Sequence, residues 1–176
     1  MSSQIPTTQI YPTTIFASVQ PKMLTQVIEQ LKNVQGITFY SPVTGRFDLA
    51  IELKAAEPKQ VYALVNKVRS INGITSTTTY TPFENYADGR NFQATDSLAL
   101  VLMQINEQGQ QAQKVLQSMK QFSQVRSAAV VPGEFDIIAT VYGKNHEEIL
   151  SQVSKIAEVQ GVSTSETLFA YKPIWA

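Results

Sequence analysis

The sequence carries the same folding unit twice in tandem, and this duplication is the strongest constraint on its fold. Gly-Arg-Phe-Asp begins at Gly45, and Gly-Glu-Phe-Asp begins 88 residues later at Gly133. The same spacing relates further identical pairs, namely Gly73 with Gly161, Thr79 with Thr167, Val27 with Val115, and Lys67 with Lys155. A spacing that stays constant over so many positions indicates that a complete folding unit was copied rather than a short motif. Any function must therefore be explained for a protein that consists of two similar halves.

Length and composition are those of a globular protein with two small modules. The chain has 176 residues, so each copy spans roughly 80 residues, which is near the lower limit for burying an adequate core alone. Hydrophobic residues make up 43% of the chain, and 14 basic residues balance 14 acidic ones, so nothing favours a polyanionic partner. The absence of cysteine excludes disulfides, thiolate nucleophiles and cysteine zinc sites.

The N-terminal segment does not resemble a targeting signal. Residues 1–12 contain no basic start followed by an apolar stretch, and no apolar run approaches the roughly 20 residues needed to cross a bilayer. We therefore expect a soluble, cytoplasmic protein without membrane contact.

Apolar periodicity predicts the element order β-α-β-β-α-β in each copy. Alternation indicates strands, three-and-four spacing indicates helices, and glycine-containing turns join the second and third strands into a hairpin. The first copy is predicted to comprise a strand over 13–19, a helix from Pro21 to Gly36, strands over 37–43 and 47–53, a helix over 58–73, and a strand over 74–81. The second is predicted to comprise a strand over 98–105, a helix within 109–124, strands over 125–131 and 135–141, a helix capped by Asn145 and Glu148 and ended by Gly161, and a strand over 162–169.

This order predicts an α+β fold of two ferredoxin-like βαββαβ modules, each with two helices on one face of a four-stranded antiparallel sheet. The modules are expected at 13–83 and 98–171, joined by a polar linker at 84–97 that shows no periodicity. The second face of each sheet is left uncovered, and stacking the two faces would bury their apolar side chains. We expect either sheet-to-sheet packing within the chain as an internal pseudo-dimer, or an exchange of partners between chains.

Both hairpins, with the strands that end each copy, resemble the effector-binding domain of the Lrp/AsnC family, which is also called the RAM domain. The resembling segments are 44–53 and 72–79 in the first copy, and 132–141 and 160–167 in the second. The resemblance implies a dimeric α/β-barrel sensor that binds amino acids or similar small molecules at contacts between domains and often builds larger rings. It further implies a homo-oligomer or an Lrp-like partner protein.

In that family a helix-turn-helix unit normally precedes the sensor and contacts DNA. Only about a dozen residues precede the first predicted strand, and no helix presents a row of Lys and Arg for phosphates. We therefore expect no direct contact with nucleic acid.

The repeated hairpin supplies the first candidate ligand residues. An α-amino acid offers an ammonium and a carboxylate, so its site is expected to combine an acid with backbone N–H groups or hydroxyls. Glycine lets the backbone approach a ligand closely, and an aspartate follows it in the same turn. For the aspartates, bonding of turn amides is an equally good interpretation. The candidates are Gly45, Phe47 and Asp48, with their counterparts Gly133, Phe135 and Asp136.

The last strand of each copy supplies hydroxyl groups. The family resemblance implies that such hydroxyls help to form the effector pocket, which assigns this role to Thr77 and Thr79, and to Ser165 and Thr167. The alternative interpretation is that these residues form an ordinary β-branched strand, whose polar side chains keep its edge soluble. Arg46 and Glu134 occupy equivalent positions and would give two potential pockets different charges.

Catalysis and metal binding have little support in the sequence. His146 is the only histidine, and it lies at a predicted helix start without a suitable second ligand nearby. We expect no catalytic residue, no metal and no cofactor, and therefore a protein that is not an enzyme. The alternatives are an enzyme of the dimeric α/β-barrel type, such as a monooxygenase or a haem-degrading protein, and a purely structural oligomerisation module. Trp175 is expected to dock on the other module or on a neighbouring chain.

Overall fold

A computed structural model describes residues 11–90, 93, 95–106 and 110–176. The first copy and the segment after it form β1 (Tyr11–Val19), α1 (Leu24–Leu31), β2 (Ile37–Pro42), β3 (Leu49–Ala55), α2 (Pro58–Arg69), β4 (Ile74–Tyr80) and β5 (Glu84–Ala87). The second copy forms β6 (Ser97–Ile105), α3 (Gln110–Met119), β7 (Val125–Val130), β8 (Ile137–Gly143), α4 (His146–Ala157), β9 (Val162–Ala170) and β10 (Ile174–Trp175). Gly109, at the predicted start of the third helix, and positions 91, 92 and 94 of the predicted linker lie outside the described residues.

Within the described residues, the strands form two antiparallel five-stranded sheets. The first sheet has the order β10-β2-β3-β1-β4, and the second has the order β5-β7-β8-β6-β9. The predicted α+β fold of two ferredoxin-like modules is therefore confirmed. Each copy contributes four strands in the βαββαβ order, and each sheet gains a fifth strand at its edge.

The fifth strands are exchanged between the two copies. β5 follows the first copy but pairs with β7 of the second, placing Tyr86 opposite Ala128. β10 follows the second copy but pairs with β2 of the first, placing Ile174 opposite Tyr40. The two pairings have the same register, displaced by the repeat spacing. Each copy thus protects the exposed edge of the other sheet.

The predicted linker and the bounds of several predicted elements differ from the structure. Residues 84–87 lie at the start of the predicted linker but form a strand, because the edge of the second sheet offers backbone groups that even a polar segment can bond. α1 begins at Leu24 rather than in the turn at Pro21, where Lys22 has a φ of 69°. It also ends before Gly36, since the Val34 N–H bonds the Leu31 carbonyl in a tighter final turn. The module boundaries themselves stay a prediction.

The apolar side chains form three layers. One layer lies between the two sheets, and the other two lie between each sheet and its own helices. The alternation along β1 shows the division, since Phe16 belongs to the inter-sheet layer while its neighbours Ile15 and Ala17 face the helices. Leu102 and Leu168 join Phe16 from the second sheet. Sheet-to-sheet packing as a pseudo-dimer within one chain is therefore confirmed.

The expected docking of Trp175 on the other module is also found. Its ring lies against Phe39 of β2, with 4.6 Å between the ring centroids. In the described part of the chain, no helix is long and apolar enough to span a membrane. The cytoplasmic location stays a prediction.

Truncation of the inter-sheet layer is expected to destabilise the whole chain. Leu102 is fully buried between the sheets, so Leu102→Ala should lower the free energy of unfolding by about 2–5 kcal/mol, measured by urea denaturation. Leu150→Ala is the matched control, because this leucine of α4 is 50% exposed, and a change within about 1 kcal/mol is expected. Both variants should unfold in a single transition. Two separate transitions would show that the modules do not depend on a shared layer.

Candidate functional site

The two hairpin turns close against the opposite sheet. A Cβ atom on Gly45, which has a φ of +104°, would lie 2.5 Å from Cδ2 of Leu168. A Cβ atom on Gly133, which has a φ of +143°, would lie 2.8 Å from Cε1 of Tyr80. Only glycine combines this backbone conformation with such close approach. The structure therefore gives both glycines a packing role between the modules.

Arg46 and Glu134 occupy equivalent positions in the two copies and bind each other. Both terminal nitrogens of the guanidinium lie 3.1 Å from Oε1 of Glu134. Nε of Arg46 also lies 3.2 Å from a carboxylate oxygen of Glu166, and the guanidinium carbon lies 5.3 Å and 4.7 Å from the ring centroids of Phe47 and Phe135. The opposite charges of Arg46 and Glu134 thus form an ion pair between the two copies. They do not give two separate pockets different charges.

The two predicted aspartates bond backbone amides. Oδ2 of Asp48 accepts the N–H of Val19, and Oδ2 of Asp136 accepts the N–H of Ile105, each at 2.8 Å. These bonds tie each hairpin to the end of the first strand of its copy. Both aspartates therefore bond backbone amides, as the alternative interpretation expects. Their contact with a ligand stays a prediction.

The predicted hydroxyls lie on the face of each sheet that is covered by helices. Thr77 and Thr79 are directly opposite Ala17 and Ile15, which belong to the helix-facing layer. Ser165 and Thr167 are likewise opposite Met103 and Val101. The structure thus brings these four hydroxyls neither to the inter-sheet layer nor to the hairpins. Their role in a pocket stays a prediction.

A cavity of about 440 Å³ lies between the sheets and is lined by both copies. We call it the central cavity. None of the ten predicted ligand residues lines it. Equivalent positions of the two copies face it in pairs, including Ala50 with Ile138 and Thr14 with Leu100. The spacing is 88 residues in the first pair and 86 in the second, because α3 has 10 residues where α1 has 8. The cavity therefore lies where the two halves meet.

Two of the paired positions differ in charge. Glu52 of β3 corresponds to Thr140 of β8, and Lys54 corresponds to Tyr142. Glu52 shares the inter-sheet face because it lies opposite Phe39, which belongs to that layer. The first sheet thus presents an acid and a base to the cavity. The second sheet presents hydroxyl groups at the equivalent positions.

Burial changes the proton affinity of these groups. Burial raises the pKa of Glu52, although Lys54 and the Thr38 hydroxyl act in the opposite direction. Burial raises the pKa of Tyr142 to about 12, and the nearby Glu52 carboxylate adds to the effect. In both cases the largest cause is the partial removal of the group from water.

The second sheet contributes one cation to the cavity. The guanidinium of Arg126 stacks over the ring of Tyr142, with 5.2 Å between its central carbon and the ring centroid. Its Nε is buried and has no hydrogen-bond acceptor among the described residues. A buried N–H without an acceptor is costly, typically about 1–3 kcal/mol. Arg126 is therefore a candidate donor to an anionic guest.

The mouth of the cavity has its own ion pair. Nε of Arg90 donates to Oδ2 of Asp88 at 2.7 Å, and the same guanidinium donates to the carbonyl of Ser123. Asp88, Gly89 and Arg90 are exposed and line the cavity, and they form its mouth in the described part of the chain.

Sequence reasoning missed the central cavity. The available signal was the placement of Glu52 and Lys54, which alternate with the buried residues of β3 and so must share the face that stacks on the other sheet. Arg126 gave no such signal, because the bulge beside it in β7 breaks the alternation.

His146 lies away from the cavity. It is the exposed first residue of α4, and its ring centroid lies 4.4 Å from that of Phe169, which packs on the helix-facing layer. Over residues 11–90, 93, 95–106 and 110–176, no group of three or more His, Cys, Asp or Glu could hold a metal ion. The expectations of no metal and no cofactor stay predictions.

Comparison with known proteins identifies a family and a shared architecture. The family model for the Lrp/AsnC ligand binding domain matches residues 14–92 and 98–175. The crystal structure of the siroheme decarboxylase NirDL is 12% identical, with a TM-score of 0.69 over 93% of this chain and 72% of that one. A mutant chlorite dismutase from Candidatus Nitrospira defluvii is 11% identical, with a TM-score of 0.61 over 92% of this chain and 90% of that one. Among curated protein sequences there is no significant match.

The expectation that the chain is not an enzyme is contradicted by these structures. Siroheme decarboxylase and chlorite dismutase are enzymes, and an anthrone oxidase-like protein has the same architecture at 8% identity, with a TM-score of 0.61 over 95% of this chain and 93% of that one. At these identities the likeness is one of fold. The fold therefore accommodates catalysis, and the lone histidine was too narrow a criterion.

The raised pKa of Glu52 predicts a pH-dependent effect on stability. The folded protein holds this proton more tightly than the unfolded chain, so ionising Glu52 costs stability as pH rises from below 4.5 through its folded pKa. Glu52→Gln should therefore raise the free energy of unfolding at pH 7, and the gain should vanish at low pH. Urea denaturation across a pH series measures this difference. Glu134→Gln is the contrasting variant, because it loses the ion pair with Arg46 and should give no gain. A Glu52→Gln protein less stable than the parent at pH 7 would contradict the burial of this charge.

Proposed function

Because the chain belongs to the Lrp/AsnC ligand-binding domain family, we propose that it is a regulatory protein that binds a small effector in its central cavity. The first ligand class is the α-amino acids. The proposed assembly is a homo-oligomer or a complex with an Lrp-like partner protein.

One observation carries this proposal, namely that two opposite charges without ion-pair partners among the described residues line one cavity from facing sheets. Glu52 comes from the first sheet and Arg126 from the second, and neither forms an ion pair within the described ranges of the chain. An amino acid carries an ammonium and a carboxylate a short distance apart. The ammonium would bind Glu52, and the carboxylate would bind Arg126.

The surroundings strengthen both contacts. Each charge is partly withdrawn from water. Electrostatic attraction in such a partly buried environment is stronger than in bulk solvent. The other lining residues include aliphatic side chains, Ala50, Leu100 and Ile138, which suit the apolar portion of a guest. A molecule held this way contacts both sheets at once. Its binding would therefore stabilise the association of the two halves, which is a physical basis for regulation.

The repeated hairpins remain a second candidate site. The glycines and aspartates, Gly45 and Asp48 with Gly133 and Asp136, keep equivalent contacts in both copies, and Phe47 and Phe135 lie beside them. A ligand there would have to compete with the backbone amides that the aspartates already bind. The hydroxyls of Thr77, Thr79, Ser165 and Thr167 lie away from these hairpins, on the helix-covered faces, and are separate candidate ligand contacts.

Thermal unfolding with each of the twenty amino acids tests the proposed function. A ligand at one hundred times its dissociation constant should add about 2.7 kcal/mol to the free energy of unfolding. Glu52→Gln and Arg126→Met should each weaken the binding of that amino acid at least about tenfold, since each removes one charged contact. The absence of a shift with all twenty amino acids would refute amino-acid binding.

Asp48→Asn and Asp136→Asn separate the two candidate sites. If the central cavity is the site, these variants keep the affinity of the parent protein even where their stability falls. A loss of affinity in the aspartate variants, with none in Glu52→Gln or Arg126→Met, would move the site to the hairpins.

A further inference from the structure

A third charged side chain lines the central cavity beside the two that carry the proposed function. Lys54 follows Glu52 by two residues on β3, so both lie on the inter-sheet face of the first sheet. Residues at this spacing on a strand lie about 7 Å apart. Lys54 forms no ion pair within the described ranges of the chain, although its charge acts on the Glu52 carboxylate. A guest that bonds Glu52 therefore has a base within reach on the same wall.

Lys54 belongs to one half of the protein only. The equivalent position on β8 is Tyr142, which carries no positive charge. Lys54 is exposed, whereas Glu52 is partly buried. A lysine places a compact charge on a long flexible stem, so its ammonium can follow guests of different length. Because the ammonium is open to water, its attraction for a guest weakens as salt is added.

The charges that line the cavity leave it positive. Its described lining has three bases, Lys54, Arg90 and Arg126, against two acids, Glu52 and Asp88, which gives a net charge of +1. Asp88 forms an ion pair with Arg90 and is also attracted by Arg126. A neutral amino acid leaves the excess charge uncompensated. A guest that carries one net negative charge compensates it.

The facing sheet holds the base for a first carboxylate. The guanidinium of Arg126 stacks over Tyr142, and its buried Nε lacks an acceptor among the residues described. A planar guanidinium can donate two parallel N–H bonds to one carboxylate. Arg126 and Lys54 thus line the cavity from opposite walls, and a guest that satisfies both bases needs two carboxylates.

Resting on the proposed function, we infer that the guest is an acidic amino acid. Its ammonium binds Glu52, its α-carboxylate binds Arg126, and its side-chain carboxylate binds Lys54. Aspartate and glutamate share this chemistry, because in both the second carboxylate lies a few bonds from the ammonium. Their short methylene chains suit the aliphatic part of the lining. A cavity of about 440 Å³ is within the range of about 300–1,000 Å³ that is usual for small-molecule sites.

Two isosteric pairs of amino acids isolate the second carboxylate, namely glutamate with glutamine and aspartate with asparagine. Calorimetric titration of the intact chain at about pH 8 favours the ionised form of Glu52, whose pKa is raised by burial. At least one acid should bind at least about fivefold more tightly than its amide. This preference should shrink as the ionic strength rises from about 0.01 M to about 0.15 M, because Lys54 is exposed. Glutarate, which lacks the ammonium, should bind at least about tenfold more weakly than glutamate.

Substitutions of Lys54 assign the second contact. Because this side chain is exposed, its replacement leaves the core intact. Lys54→Met should bring the affinities for acid and amide to within about twofold of each other, and Lys54→Glu should make the amide the tighter ligand. Lys67→Met, which removes an exposed lysine of α2, is the matched control and should keep the preference of the parent protein.

The outcomes distinguish this inference from the proposed function. Equal binding of acids and amides, or a preference that persists in Lys54→Met, would overturn the contact with a second carboxylate and leave amino-acid binding intact. Glutarate that binds as tightly as glutamate would remove the ammonium contact with Glu52 and overturn the acidic amino acid as the guest. If neither acid binds and another amino acid raises the melting temperature, the inference alone falls. If no amino acid does so, the proposed function falls with it.

Discussion

The contact between the two sheets is the interaction on which the rest of the molecule depends. Each copy covers one face of its sheet with two helices and leaves the other face apolar, so neither copy can bury its own residues alone. Stacking of the sheets buries Phe16, Leu102 and Leu168 in one layer. The glycine turns bring the hairpins into contact with the opposite sheet, and the exchanged edge strands fasten each half to the other. The central cavity is the part of this layer that the described side chains leave unfilled.

Fusion of the two copies in one chain removes a restriction that symmetry imposes on dimers. At a two-fold axis between identical chains a residue meets its own copy, so a charge would meet a like charge. Here the equivalent positions have become Arg46 and Glu134, which attract each other. The same freedom gives the cavity Glu52 on one wall and Thr140 on the other. An asymmetric cavity can hold an asymmetric guest in one orientation.

Prediction from the sequence succeeded where local rules decide the structure. The βαββαβ order follows from apolar periodicity, and the cap at Asn145 forms as expected, with its side chain accepting the Glu148 N–H at 2.8 Å. The exchanged strands were missed because their stability comes from a distant sheet edge rather than from their own polar residues. The cavity was missed for a similar reason. Glu52 and Arg126 are far apart in the sequence, and only the stacking of the sheets brings both to the central cavity.

The central claim is that the two copies together make one binding site. Isothermal titration calorimetry of the intact chain, with the amino acid that stabilises it most in thermal unfolding, measures this most directly through the number of molecules bound. A single site in the central cavity predicts one guest per 176-residue chain. Two equivalent guests per chain would place binding in each copy separately and would contradict the account.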